Sequence, residues 1–469
     1  MLFTSPIFLQ LFLPVVLCIY FLLHRITCKN IFLLLASLFF YTWGEPRNVL
    51  LLLGAITINY LLARFGLSES QVPKIRKLTV SIGILLNLLF LGTFKYTSPS
   101  VFFLDSIFDF PFRLKQIGLP LGISFYTFQI ISYLIDTYRK ENLPQKNLLD
   151  LALYIAFFPQ LVAGPIVKYH DISKYLYERK VSFSDLSYGI RRFVYGLSKK
   201  VLIANNVAYL ADDIFQIPLT QLDMKTAWLG VIAYSLQIYF DFSGYSDMAI
   251  GLGRMFGFHF LENFNYPYYS KSIQEFWRRW HISLSTWFKE YVYIPLGGSR
   301  GSLKRTCLNI MIVFFATGCW HGAGLNFIVW GIYYGILLVL ERCFLKSFLE
   351  KPAFSFFAHF YTLLLVIFGW VLFRAENLPD ACVYSWKMLS FQNNPELPLS
   401  TFLTKWTVLL ICISILFSAP LQMLLPKLKR YLYSEEIHGA DFLLIPFLLI
   451  LSIVMLTGNT YNPFIYFRF

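Results

Sequence analysis

Runs without a formal charge recur along this chain, and their lengths are its first structural signal. A helix needs about 20 apolar residues to cross about 30 Å of hydrocarbon. Charge-poor runs occupy 1–24, 30–44, 48–63, 78–94, 116–135, 151–167, 226–240, 306–340, 352–373, 406–426 and 442–467, some of them interrupted by Gly, Pro or polar residues. The run 306–340 is long enough for two passes. The pattern predicts an all-α polytopic membrane protein with about 10–12 membrane helices. No internal repeat, linker or low-complexity tract divides it, so 1–469 reads as one membrane domain. The first run exceeds a signal-peptide core, lacks a small-residue cleavage site and is followed by further spans, so it reads as a retained helix. Without early positive charge, its N-terminus is expected outside.

Two segments, 187–205 and 272–293, are helical in pattern but too charged to span easily. The second reads SIQEFWRRWHISLSTWFKEYVY, with Phe276, Trp280, Ile282, Leu284, Trp287, Phe288 and Tyr291 at helical spacing. Such a helix lies at the membrane interface or lines a cavity.

Composition sharpens this picture. The 469 residues are 57% hydrophobic and only 14% charged, whereas a soluble domain is about 25% charged. Disordered, collagen-like and disulfide-stapled chains are excluded. Lys and Arg number 40 against 26 Asp and Glu, a formal net charge of +14. No nucleic-acid motif accompanies that charge, and membrane proteins gather basic residues in cytoplasmic loops and at anionic headgroups. Segments 64–77, 168–200, 300–305, 342–351 and 427–430 concentrate Lys and Arg and are expected in the cytoplasm; 96–112, with Asp105 and Asp109, and 375–401, with Glu376, Asp380 and Glu396, are expected outside. The last helix then runs outward, and the C-terminus ends on the outer side or folds back into the membrane. The seven Cys are odd in number and form no C-x-x-C pair, so neither a disulfide framework nor a metal site is expected.

Two of the seven His stand out. His321 lies in ATGCWHGAGLNFIVWG, with no formal charge between Arg305 and Glu341. If Arg305 and Arg342 mark one side, residues 306–341 form a hairpin. Fifteen helical residues rise about 22 Å, which puts the turn Trp320-His321-Gly322-Ala323-Gly324 inside the membrane. An ionisable residue there is a functional candidate; the alternative is a neutral ring satisfied by a helix carbonyl. His281 sits among Arg278, Arg279 and Lys289, either on an aromatic helix whose cations meet headgroups or in a reaction or gating role with the cations binding an anionic donor. Asp241 and Asp247 in YFDFSGYSDMAIG are intramembrane carboxylates that either orient a His, pair with an Arg or serve the structure. GLGRMFG at 251–257 lacks a βαβ context and reads as close helix packing. The tail NTYNPFIYFRF carries Tyr461 and Tyr466 and fits an aromatic anchor. No G-x-S-x-G, P-loop or H-E-x-x-H occurs.

At these residues the chain resembles the membrane-bound O-acyltransferase (MBOAT) family, in its bacterial polysaccharide-acylating branch. The matching stretches are FFYTWGEP (39–46), GISFYTFQIISYLIDTYR (122–139), FFPQLVAGPI (157–166), YFDFSGYSDMAIGLGRMFGF (239–258), NFNYPYYSKSIQEFWRRWHISLSTWFKEYVYIPLGGSR (263–300), CWHGAGLNFIVWG (319–331) and the final FIYFRF. The resemblance implies a ring of membrane helices with re-entrant or interfacial helices around a tunnel. It implies a catalytic His321, a second characteristic His281, and an acyl-carrier role for Tyr466 in a tail segment 460–469. Trp277, Arg278, Arg279, Ser283, Tyr239, Asp241, Asp247 and Trp320 are the expected substrate and tunnel residues. The implied reaction takes acetyl from a cytoplasmic thioester, acetyl-CoA, with no bound cofactor. The acetyl crosses the bacterial cytoplasmic membrane and reaches a polysaccharide through an extracytoplasmic O-acetyltransferase partner. Peptidoglycan is slightly favoured over alginate as the polymer, because the chain lacks a long extra terminal segment.

The chemistry is coherent with those residue types. A hydroxyl nucleophile needs a base, and imidazole, with a reference pKa of about 6.5, accepts a proton near neutrality. A phenol, pKa about 10, makes an aryl ester reactive enough to pass the group onward. The alternatives are a teichoic-acid D-alanyl transferase, a transporter or flippase without chemistry of its own, and a non-catalytic scaffold of a polymer-modifying complex.

Overall fold

The computed structural model describes residues 1–108, 118–395, 397–458 and Ile465, with the backbone alone for 98–108. The described residues are helical, with no strand among them. Tyr461, Tyr466 and the end of segment 96–112 lie outside them.

Among the described residues, six helical segments are long and apolar enough to cross a membrane: Ile26–Gly44, Asn48–Gly66, Pro73–Thr97, Leu325–Leu349, Pro352–Arg374 and Asp441–Gly458. Phe8–Leu22 and Lys405–Ser418 are shorter apolar helices. The charge-gap count of about 10–12 is higher because it cannot separate residues facing lipid from residues facing protein. Ile123–Tyr138 covers much of the run 116–135, yet it is only 16 residues long and nearly all of it is buried, Gln129, Ser132 and Asp136 included. The run 226–240 falls in Met224–Met255, whose interior continues through buried Gln237, Asp241, Ser243, Ser246 and Asp247. These apolar stretches serve the protein interior.

The chain divides into two compact units. The first comprises Met1–Phe193, Asp247–Leu261 and Glu435–Asp441. At its core Phe3, Phe8, Phe12, Phe40 and Phe158 form an aromatic cluster with centroids 5.1–6.4 Å apart. GLGRMFG packs as a helix contact: a Cβ on Gly251 would stand 2.6 Å from the carbonyl oxygen of Gly189.

Several cations expected in cytoplasmic loops are instead buried. Arg76 donates to the carbonyls of Ser68, Thr137 and Tyr138 at 3.0–3.1 Å, and to that of Leu67. It thereby caps helix ends whose last carbonyls have no intrahelical partner. Arg192 donates through Nε and Nη2 to Asp247 at 2.9 and 2.7 Å, and Arg191 pairs with Asp441 at 3.3 Å. Positive charge within 168–200 is therefore partly structural, because a buried cation is tolerated only when paired.

The second unit comprises Val194–Ser246, Glu262–Ser434 and Phe442–Phe469. Six helices build its candidate site: α1 (Met224–Met255, through Ser246 in this unit), α2 (Ile273–Arg279), α3 (Ile282–Phe288), α4 (Leu303–His321), α5 (Leu325–Leu340) and α6 (Ser355–Arg374). α4 and α5 form the expected hairpin. A Cβ on Gly318 would stand 2.5 Å from the carbonyl oxygen of Phe327, and one on Gly331 would overlap that of Phe314. Gly331→Val therefore forces the helices apart. The expected loss is at the upper end of the about 1–3 kcal/mol typical of overpacking. Thermal unfolding in detergent reads it against Gly54→Val, where nothing lies within 4 Å of the added Cβ. Equal stability of the two variants contradicts the close crossing.

Candidate active site

His321 is the last residue of α4 and is 4% exposed. Gly322 breaks the helix with extended dihedrals (φ −172°, ψ 166°), and its N–H still returns to the Gly318 carbonyl at 3.3 Å. The turn falls on Gly322-Ala323-Gly324, the later part of the expected Trp-His-Gly-Ala-Gly stretch, while Trp320 and His321 remain in α4. Aromatic rings enclose the imidazole: Trp320 at 4.8 Å, Trp330 at 4.9 Å and Phe373 of α6 at 5.1 Å between centroids. Three elements thus fix one ring.

The continuous helix expected over 272–293 is broken at Trp280-His281. His281 adopts left-handed dihedrals (φ 43°, ψ 56°) between α2 and α3. A non-glycine residue there costs about 1–2 kcal/mol and persists where its surroundings over-determine it. Asn263 does so. Its backbone carbonyl accepts the Ile282 N–H at 2.9 Å. Its side-chain oxygen accepts from Ser283 N–H (3.2 Å) and Ser283 Oγ (2.8 Å) and stands 3.1 Å from His281 Nδ1. Asn263 Nδ2 in turn donates to Ser246 Oγ at 3.0 Å. Because an amide oxygen only accepts, Nδ1 carries the proton and Nε2 the lone pair. Burial pushes the imidazole down to about 3, so it is neutral at physiological pH. The ring lies edge-on to Phe242 at 4.7 Å and 6.2 Å from Trp320. The two histidines therefore flank one indole. Sequence reasoning missed Asn263; its signal is a buried amide 18 residues before the His it holds, visible only after folding.

Beside this pair opens a cavity of about 740 Å³. Arg278, Lys289, Arg342 and Lys346 line it and are exposed, while Trp277, Thr317 and Phe314 line it too. Thr317 stands one helical turn before His321, and Trp277 packs on Trp330 at 5.6 Å. Glu341 caps α2, accepting the N–H groups of Ile273 (2.7 Å) and Gln274 (3.0 Å).

Other candidates lie elsewhere. Arg279 does not line the cavity: it pairs with Glu275 at 2.8 Å and donates to the Asn265 carbonyl at 3.1 Å. Tyr239 belongs to an aromatic cluster with Phe264, Tyr268 and Trp280 at 5.4–6.4 Å. Neither aspartate orients a histidine. Asp247 holds Arg192, in the first unit. Asp241 pairs with Lys200 at 2.6 Å, and its other oxygen accepts the backbone N–H of Ile465 at 2.9 Å. Ser283 serves the His281 clamp. Tyr466 lies outside the described residues. One His-carboxylate grouping, Asp136, Glu141 and His170, occurs among the described residues of the first unit, where His170 stands 3.3 Å from Asp136 and 3.0 Å from Asp171.

Comparison with known proteins gives this arrangement a context. The family model of membrane-bound O-acyltransferases matches residues 134–386. The chain is 45% identical to the "Probable alginate O-acetylase AlgI" of Pseudomonas aeruginosa, over 83% of this chain and 74% of that one. It is 39% identical to the protein of the same name in Pseudomonas putida over the whole of both chains. With the "Peptidoglycan O-acetyltransferase" of Helicobacter pylori it shares 38% identity, over 81% of this chain and 78% of that one.

Proposed function

The chain belongs to the membrane-bound O-acyltransferase family, and on that premise we propose that it takes acetyl from cytoplasmic acetyl-CoA and moves it across the bacterial inner membrane for O-acetylation of a cell-envelope polysaccharide. The observation that carries this reading is the pair of buried histidines flanking Trp320 beside a cavity lined by exposed cations. Arg278, Lys289, Arg342 and Lys346 suit the phosphates of a coenzyme A head. The apolar inner wall suits its thioester arm. Arg342 and Lys346 lie in the last turns of the helical segment Leu325–Leu349, within the basic stretch 342–351 that the charge pattern puts in the cytoplasm, where that donor resides.

His321 acts as the general base. It removes a proton from the attacking hydroxyl as oxygen bonds to the thioester carbon, and the coenzyme A thiolate departs and recovers a proton. His281, held neutral with its lone pair on Nε2, is the second site histidine. The nucleophile in this reading is Tyr466, whose acetyl ester then passes to an extracytoplasmic transferase. The acceptor is a hydroxyl of peptidoglycan or of an alginate-type polymer.

Purified full-length protein incubated with acetyl-labelled acetyl-CoA tests the reading. Base-labile label on the wild type that is absent from Tyr466→Phe is the expected result. Equal label on both removes the carrier step. No label, with acetyl-CoA turned over by neither protein, removes the enzyme reading in favour of a transporter or scaffold. A deletion strain then identifies the polymer: ester-linked acetate is lost from the peptidoglycan or from the exopolysaccharide fraction.

A further inference from the structure

The second unit buries several indoles, and their N–H groups fall into two classes. Trp228 Nε1 donates to the Met388 carbonyl at 2.9 Å, and Trp370 Nε1 to the Tyr268 hydroxyl at 3.1 Å. Trp277 Nε1 and Trp330 Nε1 meet no acceptor among the described residues, although Trp330 is 1% exposed and Trp277 7%. A buried donor left unmade costs about 1–3 kcal/mol, and native proteins retain few of them.

These two indoles are neighbours. Their rings cross edge-to-face at 5.6 Å, and Tyr334 closes a triangle with them at 5.1 and 5.2 Å. Trp330 also contacts the His321 ring at 4.9 Å, while Trp277 lines the cavity. Both donors therefore stand between the cavity and the base. Tyr334 has a buried hydroxyl as well, but it abuts Gly369 of α6; the two indoles are the donors that join the cavity to the His321 ring.

We propose that the indole N–H groups of Trp277 and Trp330 are catalytic donors that bind the carbonyl oxygen of the thioester and stabilise its oxyanion. This rests on the acetyl-transfer reading above. As the hydroxyl oxygen bonds to the carbonyl carbon, the π electrons move onto the carbonyl oxygen, which the two N–H groups meet. The electrons return as the C–S bond breaks, and the thiolate leaves with that bond's pair. His321 holds the proton of the hydroxyl and returns it to the thiolate, so products are ester and thiol. Packed, uncharged aromatic rings make such donors effective, because they need no reorganisation when charge develops.

The test compares full-length wild type with Trp277→Phe and Trp330→Phe, which keep an aromatic ring and lose only the donor-bearing half. Thiol release from acetyl-CoA is followed for kcat and KM, with thermal unfolding alongside. Each variant is expected to lose about 10²–10³-fold in kcat, the cost of one oxyanion donor, with KM within about threefold and a smaller loss of thermal stability than Trp370→Phe, because removing an unmade buried donor offsets part of the cavity cost. Trp370→Phe, which breaks a made hydrogen bond in the same aromatic cluster, is expected to lose thermal stability and keep kcat. Wild-type kcat in the Trp277 and Trp330 variants overturns the proposal, as does a kcat loss that Trp370→Phe shares. Wild-type protein without acetyl-CoA-dependent thiol release overturns the function reading itself.

Discussion

His321→Ala is expected to lower acetyl transfer by about 10²–10⁴-fold, the contribution of a well-placed general base. The ring is enclosed by Trp320, Trp330 and Phe373 at 4.8–5.1 Å, so the alanine variant also leaves a cavity. His321→Gln fills most of that volume with a side chain that cannot accept a proton. Both variants should lose label transfer from acetyl-CoA to a similar degree, while His321→Gln stays close to wild type in thermal unfolding. Wild-type transfer in His321→Gln sinks the assignment of the base. The position makes a strong test, since three elements hold one ring and, among the described residues, His281 is the other histidine at this aromatic wall.

The second large effect concerns the buried pair Lys200–Asp241, 2.6 Å apart and 3% and 2% exposed. Removing one partner strands a charge away from water, at about 3–5 kcal/mol. Lys200→Met and Asp241→Leu alone are each expected to lower the melting temperature steeply. The double variant should recover most of the loss, because two apolar side chains replace a pair that desolvation already weakens. Additive losses in the double variant refute the pairing. Asp241 also accepts the Ile465 N–H at 2.9 Å, which adds to the cost of the single Asp241 variant.

Much of the site was legible along the chain. The charge-free stretch between Arg305 and Glu341 predicted the hairpin, and its only histidine is the residue that ends α4. Helix class followed from apolar run lengths, and the glycines of GLGRMFG read correctly as a close helix contact. Other features depended on partners distant in sequence. Asn263 looks like an ordinary loop amide until it meets His281, and Arg191, Arg192 and Lys200 look like loop cations until Asp441, Asp247 and Asp241 neutralise them. The break at His281 was hidden because helical spacing of aromatics continues across it.

By itself the sequence determined the class of the molecule, a lipid-facing helical protein, and the residue most exposed to chemical scrutiny, His321. Both follow from local quantities, namely the length of apolar runs and the isolation of a titratable ring among them. The tertiary structure alone decided which apolar runs turn inward, which cations are paired, how Asn263 locks His281, and which indoles keep an open donor beside the cavity. Those are outcomes of packing. Whether a polar group is satisfied depends on what the fold brings within 3 Å of it, and the amino-acid order does not state that distance.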